Sequence, residues 1–449
     1  MHTTFLHTNQ DVLPLLGRAF DQQDKLALEA KDPELEMIID EAMDEVDLSS
    51  TTRSTHLVDD CTHTHVNRQG PIGEAKSVSR KKKGSNSRRQ RKRQEKAANS
   101  YAPIHKLSSK RVLKHPIPTQ ISLLGMPIAN GAYVGKRVES IDRVEDLQTL
   151  LDTGFQLVEW DGRSPQTLLD KNKRIIGVLA GQPQDDNWEL AVSRACAAME
   201  DARSRCTFKV CDTQHRRGLY PCLAAGVSYG GGQQVPGNLQ HSKTNLQEVQ
   251  ALLSEPAIQR LAGFGSSILC HYAPKVHKLY ANTKASLKDM HPHLVWNFHN
   301  SVFAATTFNL GPATVTFDHT DNGNFASGMC SITALGDFNP TNGGHLVLFD
   351  LGLIIQFPPG ATILIPSAIL RHGNIPIAPL EKRLSFTQYF AGGLIRWVEY
   401  GFRTEKAFKQ QCPEAWYAAQ LQRQTRVEEA AVYFSISNEL EKDCGAYTL

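Results

Sequence analysis

SITALGDFNPTNGGHLVLFDLGLIIQFPPGATILIPSAILRHGN, residues 331–374, is a series of short apolar runs cut by turn residues, and its pattern decides the fold. Gly343-Gly344, Pro358-Pro359-Gly360 and the stretch 374–379 separate runs of Val, Ile, Leu and Phe that are too short for helices. On either side the same style continues, with FAATTFNLG (303–311), ATVTFDH (313–319) and GMCSITALG (328–336) before it and RLSFTQYFAGG (383–393) after it. Several short strands at this spacing predict a double-sheet jelly roll or a barrel, over about 301–400.

Upstream the pattern is mixed. Residues 142–154 read as a helix with Val144, Leu147, Leu150 and Leu151 inward and Gly154 as its stop. FQLVEWDG (155–162) alternates like a strand, and 174–180 is a short apolar strand. Helices are predicted over 188–205, 246–262 and 266–285, and again over 406–440, beyond Trp397. The expected class is therefore α+β: a jelly-roll core (a double-stranded β-helix) flanked by helices, in a domain spanning 104–449.

The first 103 residues differ in kind. Residues 21–47 are rich in acid with loosely helical Leu, Ile and Met, as in a solvated amphipathic helix or an acidic docking helix. RKKKGSNSRRQRKRQEK (80–96) has almost no acid and no apolar side chain, so it cannot bury enough surface to fold. The expectation is a disordered basic tail suited to nuclear import, to phosphate contact, or to solubility alone. The chain of 449 residues carries a net charge of only +3, so this local concentration of charge matters more than the total. No apolar run of membrane-spanning length and no signal-peptide pattern is present, and the nine cysteines show no C-x-x-C pair. A reducing interior, with the nucleus favoured by the basic cluster, follows as the expected location. A monomer is assumed.

The chemistry sits in TFDHTDNGN (316–324). Strand alternation puts Val315, Phe317 and His319 on one face, and Asp321 is the next residue on it. A histidine and a carboxylate at i and i+2 form a two-point metal grip, and SAILRHGN (367–374) supplies a third candidate ligand, His372. Two histidines and one carboxylate on one side of a metal leave open positions, as in non-haem ferrous oxygenases. H-x-D alone is weak, since the chain has seventeen histidines. The pattern gains force from Arg383 and Ser385, two apart on the following strand. A guanidinium fork binds a carboxylate in two places, and a hydroxyl beside it adds a donor, a pair fitted to the far carboxylate of 2-oxoglutarate.

The series H-x-D, His, R-x-S resembles the 2-oxoglutarate/iron dioxygenase superfamily, and within it the TET/JBP-like enzymes that oxidise methyl groups on DNA bases. FNLGPATVTFDHTDNGN (308–324), residues 331–374 and RLSFTQYFAGGLIRWVEYGFRT (383–404) are similar to a group expanded in mushroom-forming fungi. The resemblance covers roughly 117–404 and is strongest from Ser301 onward. It implies that His319, Asp321 and His372 hold Fe(II) and that Arg383 holds 2-oxoglutarate, with O2 as oxidant. It further implies that Asn324 hydrogen-bonds a flipped base and that Tyr389 stacks on it. The implied partner is methylated double-stranded DNA, and the implied reaction takes 5-methylcytosine to hydroxymethyl, formyl and carboxyl forms. One departure is Ala391, where members acting on methylcytosine often carry a histidine, which leaves the identity of the base open.

The alternatives are an N6-methyladenine demethylase, a protein or RNA hydroxylase on the same scaffold, and a non-catalytic DNA-binding protein. Five further features are weighed against bland readings. GVSYGGGQQVPGN (226–238) is a flexible loop that the resemblance places beside the substrate cleft and that is equally readable as a surface loop. His215, Arg216 and Arg217 are candidates for phosphate contact or a solvated basic turn. Cys61, His63 and His65 alternate as a weak metal site, and Cys206, Cys211 and His215 lack a fourth zinc ligand. His291, His293 and His299 read as turn and core residues.

Overall fold

The computed structural model describes residues 115–129, 131–138 and 144–445. The acidic stretch at 21–47, the CTHTH motif at 61–65 and the basic cluster at 80–96 lie outside the described residues.

Among the described residues the strands form two sheets. The larger runs in the order β1 (Ile117–Pro118), β3 (Gln166–Leu169), β4 (Ile175–Gly181), β11 (Thr362–Ile365), β8 (Cys330–Asp337), β13 (Lys382–Tyr389), β7 (Ala305–Asn309), β5 (Cys222–Ser228) and β6 (Gly237–Asn238). The smaller runs β12 (His372–Asn374), β9 (Leu346–Leu348), β10 (Leu353–Ile355) and β2 (Gln156–Val158). From residue 305 the chain shuttles between them. β7 lies in the larger sheet, residues 316–319 pair with β12 of the smaller, β8 returns to the larger, and β9 and β10 lie in the smaller. β11, β12 and β13 then alternate larger, smaller, larger. This alternation is compatible with the jelly roll that the sequence predicts. β4 and β11 are buried along their whole length, which is why they read as continuous apolar runs instead of alternating ones.

β13 shows how the larger sheet divides its faces. Leu384, Phe386 and Gln388 alternate onto one face, where Phe386 packs on Phe298 at 6.0 Å and Gln388 Nε2 donates to the helical Ala262 carbonyl at 3.2 Å. Arg383, Ser385, Thr387 and Tyr389 alternate onto the opposite face, toward the smaller sheet.

The helices are α1 (Leu147–Asp152), α2 (Trp188–Arg205), α3 (Val210–Thr213), α4 (Lys243–Ser254), α5 (Pro256–Tyr272), α6 (Pro274–Met290), α7 (Gly392–Glu399), α8 (Glu405–Gln411), α9 (Pro413–Leu421), α10 (Arg423–Ala430) and α11 (Leu440–Gly445). α2 matches its sequence prediction. It buries Trp188, whose ring nitrogen donates to the Gly360 carbonyl at 3.0 Å, with Ala191, Ala195, Met199 and Ala202 along the same face. α1 is shorter than predicted, capped by the Asp146 carboxylate and followed by Gly154 in the left-handed region.

Three expectations are corrected. Helices predicted over 246–262 and 266–285 are in fact α4, α5 and α6, because Pro256 and Pro274, which have no N–H to give to a preceding turn, each open a new helix. The segment 313–319 is no continuous strand; it is an extended stretch held by isolated pairs as it crosses from one sheet to the other. β13 ends at Tyr389 and α7 opens at Gly392, so the strand-like run 383–393 ends in a helix start. A Cβ at Gly392 would lie 1.9 Å from the Tyr133 carbonyl oxygen, so glycine there serves close packing. No helix among the described residues is long and apolar enough to cross a membrane.

Candidate metal and co-substrate site

Residues 312–321 bring the site together by changing partners. At its start Arg383 N donates to the Pro312 carbonyl at 2.7 Å and Thr314 N to the Arg383 carbonyl at 3.0 Å, against β13. Next, Asn374 N donates to the Thr316 carbonyl at 3.0 Å, now against β12. Then His319 and His372 exchange both backbone hydrogen bonds, at 3.1 and 2.9 Å, as directly opposed residues of an antiparallel pair. Opposed residues send their side chains to the same face, and the two rings sit 4.3 Å apart. Asp321 N donates to the Ser367 carbonyl at 2.8 Å, which fixes the carboxylate beside them.

Each imidazole is oriented by its own chain. His319 Nδ1 donates to the Phe317 carbonyl at 2.8 Å, and His372 Nδ1 to the Leu370 carbonyl at 2.9 Å. A carbonyl only accepts, so each Nδ1 carries a proton, and Nε2 is the ring nitrogen of each left to coordinate. Those Nε2 atoms face Asp321, at 3.8 Å from Oδ1 for His319 and 3.9 Å from Oδ2 for His372. All three ligand atoms lie within 4.8 Å of one another, and among the described residues this is the group of His, Cys, Asp and Glu side chains placed to share a metal. Burial, with His372 alongside, drives His319 well below the usual histidine range, so it is neutral and ready to coordinate. Burial pushes the Asp321 carboxyl upward, but the guanidiniums of Arg217 and Arg216 beside it outweigh burial and hold the group well below the usual carboxylate range.

Those arginines arrive from the turn before β5. Gly218 pairs with Thr316, and a Cβ there would lie 2.3 Å from the Val315 carbonyl oxygen, so the turn lies directly along the ligand segment. Arg217 Nη1 stands 3.4 Å from Asp321 Oδ1, and Arg216 donates to the Thr320 carbonyl at 2.9 Å with its other nitrogen 3.9 Å from the same carboxylate. The pair turns inward to Asp321 instead of forming a solvated basic turn. A second clamp lies one residue back on each ligand segment. Arg371 forks onto the buried Asp318, with Nε 3.0 Å from Oδ1 and Nη2 on Oδ2, while its backbone N–H donates to Asp350 at 2.8 Å. An ion pair between the neighbours of His319 and His372 holds the two ligands in register.

Arg383 is 3% exposed and has no acidic partner among the described residues. Nη1 donates to the Thr314 carbonyl at 3.2 Å, Phe338 offers its ring face at 6.0 Å, and Nε is buried with no partner. Burial lowers the guanidinium to about 10. A buried cation left this way is costly and marks the place of an anion. Ser385, on the same face of β13, accepts from Asn309 Nδ2 at 2.8 Å and keeps its own proton to donate. His345, fully buried, has both ring nitrogens without a partner among the described residues and is pushed down to about 4 by burial and then by Arg383. Sequence reasoning passed over His345; its signal was a polar side chain opening the apolar run HLVLF.

Tyr389 ends β13 on the face of Arg383 and Ser385, with Thr307 Oγ1 3.4 Å from its hydroxyl and with Asp321 and Arg217 among the charges that act on it. Asn324 lies in the turn after Asp321, and its backbone pairs with Ala391, so Asn324 and the end of β13 are brought side by side. Ala391 itself is buried and caps α7. The 226–238 loop connects β5 to β6 and is anchored by Tyr229 against Trp397 at 4.8 Å. His291 accepts from Trp397 Nε1 at 3.0 Å, in line with its reading as a turn and core residue.

No protein-family model matches the chain. No curated protein matches it either. Among solved structures, the chain is similar to NgTET1 in complex with 5mC DNA, at 18% identity and a TM-score of 0.39, over 55% of this chain and 87% of that one.

Proposed function

We propose that this chain is a nuclear Fe(II)/2-oxoglutarate-dependent dioxygenase that oxidises methyl groups on DNA bases, with 5-methylcytosine the first substrate and N6-methyladenine the second. The observation that carries the reading is the pairing of two features between the same sheets: three convergent metal-ligand atoms and a buried arginine with no acid to neutralise it. The alternation of strands between the sheets, compatible with a jelly roll, supports it.

The donor set fits ferrous iron: two imidazoles and one carboxylate on one side, with the remaining positions open to small ligands. When bound, iron with 2-oxoglutarate and O2 supplies the oxidising power that hydroxylates a substrate C–H bond and releases succinate and carbon dioxide. The chain does the rest. Arg383 and the Ser385 hydroxyl bind the far carboxylate of the co-substrate, and His345 beside Arg383 offers a ring N–H to the same group. Arg217 and Arg216 keep Asp321 ionised. The base methyl must leave the duplex to reach the metal, at a cost of a few kcal/mol that stacking on Tyr389 and contact with Asn324 offset. The basic segment 80–96 neutralises phosphates and makes binding salt-dependent.

The test is incubation of the full chain with iron, 2-oxoglutarate and duplexes carrying either methylated base, followed by mass spectrometry of the nucleosides. Hydroxymethyl, formyl or carboxyl cytosine, or adenine with formaldehyde, is expected. Succinate formation with no change in either base would refute the choice of substrate.

A further inference from the structure

Tyr220 lies two residues ahead of Cys222, where β5 begins, and the ladder between β5 and β7 runs back toward it. Cys222 opposes Asn309, Asn309 opposes Ser385, and Leu310 N still donates to the Pro221 carbonyl at 2.9 Å. Opposed residues share a face, and so do residues two apart along an extended chain. Tyr220 is thereby sent to the side of the sheet that carries Ser385 and Arg383. Gly311 follows β7 on the same side, and a Cβ there would lie 2.9 Å from the Arg383 carbonyl oxygen. It offers no side chain to part the phenol from the guanidinium.

The phenol ring is fixed in place. It meets the His215 ring edge to face at 4.8 Å, and a Cβ on Gly218 would lie 2.5 Å from Tyr220 Cε1, so glycine makes room for it. Tyr220 is 3% exposed, yet its hydroxyl makes no hydrogen bond among the described residues. Burial raises the phenol above its usual range, and Arg217 and Arg383 are the cations that oppose the rise. A neutral phenol with guanidiniums on two sides turns its oxygen toward them and keeps its proton for an anion. Buried polar groups are normally paired, so a hydroxyl held this way is costly until a ligand meets it.

We propose that the Tyr220 hydroxyl is a further donor to the far carboxylate of 2-oxoglutarate, beside Arg383 and Ser385, and that it helps the site choose a keto-diacid over a keto-monoacid. The inference rests on the proposed function and adds to it a residue outside the H-x-D, His, R-x-S series. Hydrogen bonds to a carboxylate are among the strong ones, and a ring already fixed loses little freedom in making one. A site built around such bonds rejects an analogue that cannot make them.

The test uses the full chain with manganese(II) in place of iron, so that nothing turns over. Calorimetric titration compares 2-oxoglutarate with 2-oxovalerate, which keeps the chain length and the keto-acid end but has a methyl in place of the far carboxylate. Wild type is expected to bind the diacid more tightly. Tyr220→Phe should weaken 2-oxoglutarate by about tenfold to a hundredfold and leave 2-oxovalerate as it was. Without co-substrate the variant should melt no lower than wild type, because an unpartnered hydroxyl adds nothing to stability. A variant that melts several degrees lower, or that weakens both acids in step, overturns the assignment. So does a variant that binds 2-oxoglutarate like wild type, a result that leaves the proposed function standing. A wild type that binds neither acid removes the proposed function and the role of Tyr220 with it.

Discussion

Arg383→Met should stabilise the empty protein and abolish its response to 2-oxoglutarate. The guanidinium is 3% exposed, with one hydrogen bond to the Thr314 carbonyl and a buried Nε that has no partner among the described residues. An unsatisfied buried donor costs about 1–3 kcal/mol, more when charged. Methionine fills much of the same volume without that cost, so a gain of about 2 kcal/mol is expected. For a domain of this size, an unfolding entropy of about 2 cal/mol/K per residue makes that a rise of roughly 3 °C in Tm. Binding moves the opposite way. Losing a buried charge-assisted pair removes about 3–5 kcal/mol, or roughly a hundredfold to several thousandfold in affinity. The assay is thermal melting with and without 2-oxoglutarate, using manganese(II) to prevent turnover. At a ligand concentration of about 100 times Kd, wild type gains about 2.7 kcal/mol and its Tm climbs, while the variant's stays flat. A variant that melts several degrees lower when empty, and still climbs with co-substrate, would refute the assignment of Arg383 as an unpaired anion receptor.

Two other perturbations separate the roles of the surrounding groups. His345 is held neutral, at about 4 against about 6.5 when unfolded, so the unfolded chain binds the extra proton between those values. Its contribution is complete above about pH 6.5 and is lost as pH falls toward 4, amounting to about 3 kcal/mol; His345→Leu should flatten that acid slope in urea titrations of the empty protein, and an unchanged slope would refute it. Arg371→Met leaves Asp318 buried without its partner and should cost about 3 kcal/mol and weaken metal affinity by about ten- to a hundredfold, read by denaturation and by metal titration. Adding Asp318→Leu should recover part of the stability, and no recovery would mean that the pair is not the clamp.

The convergence of His319, Asp321 and His372 was legible because the pattern follows strand geometry. His319 and Asp321 are two apart, Arg383 and Ser385 are two apart, and a period of two fixes which side chains share a face. That the first pair sits on a crossing segment, not in a strand, was hidden because a stretch bridged by isolated pairs alternates like a strand. What surrounds the ligands was not legible, because it comes from distant chain. Arg371 and Asp318 are 53 residues apart, Arg217 and Asp321 are 104, and Asn324 and Ser367 are 43. No local spacing encodes such pairs; they follow from the order in which strands cross between sheets. The helix limits failed for a more ordinary reason. Apolar periodicity ran on through Pro256 and Pro274, and a missing N–H ends a helix whatever the pattern says.

Charge then argues for the order in which the site fills. Asp321 already faces Arg217 and Arg216, so before any metal enters, that corner holds one net positive charge. A divalent ion placed between His319, Asp321 and His372 raises it to three, with the Arg217 guanidinium 3.4 Å from the carboxylate that the ion must share. Like charges so close in a poorly solvated interior repel strongly. The near carboxylate of a dianionic co-substrate lowers the charge of that corner from three to two, and its far carboxylate meets the unpaired Arg383. Metal and 2-oxoglutarate should therefore bind with positive coupling, and linkage requires the factor to be the same whichever is titrated first. Calorimetric titration of manganese(II) into the protein with and without 2-oxoglutarate measures that factor. Arg217→Gln, by removing the repulsion, should tighten the metal alone and shrink the coupling. Equal metal affinity in the presence and absence of the co-substrate would mean that the charges around Asp321 are screened in a way the buried geometry does not allow.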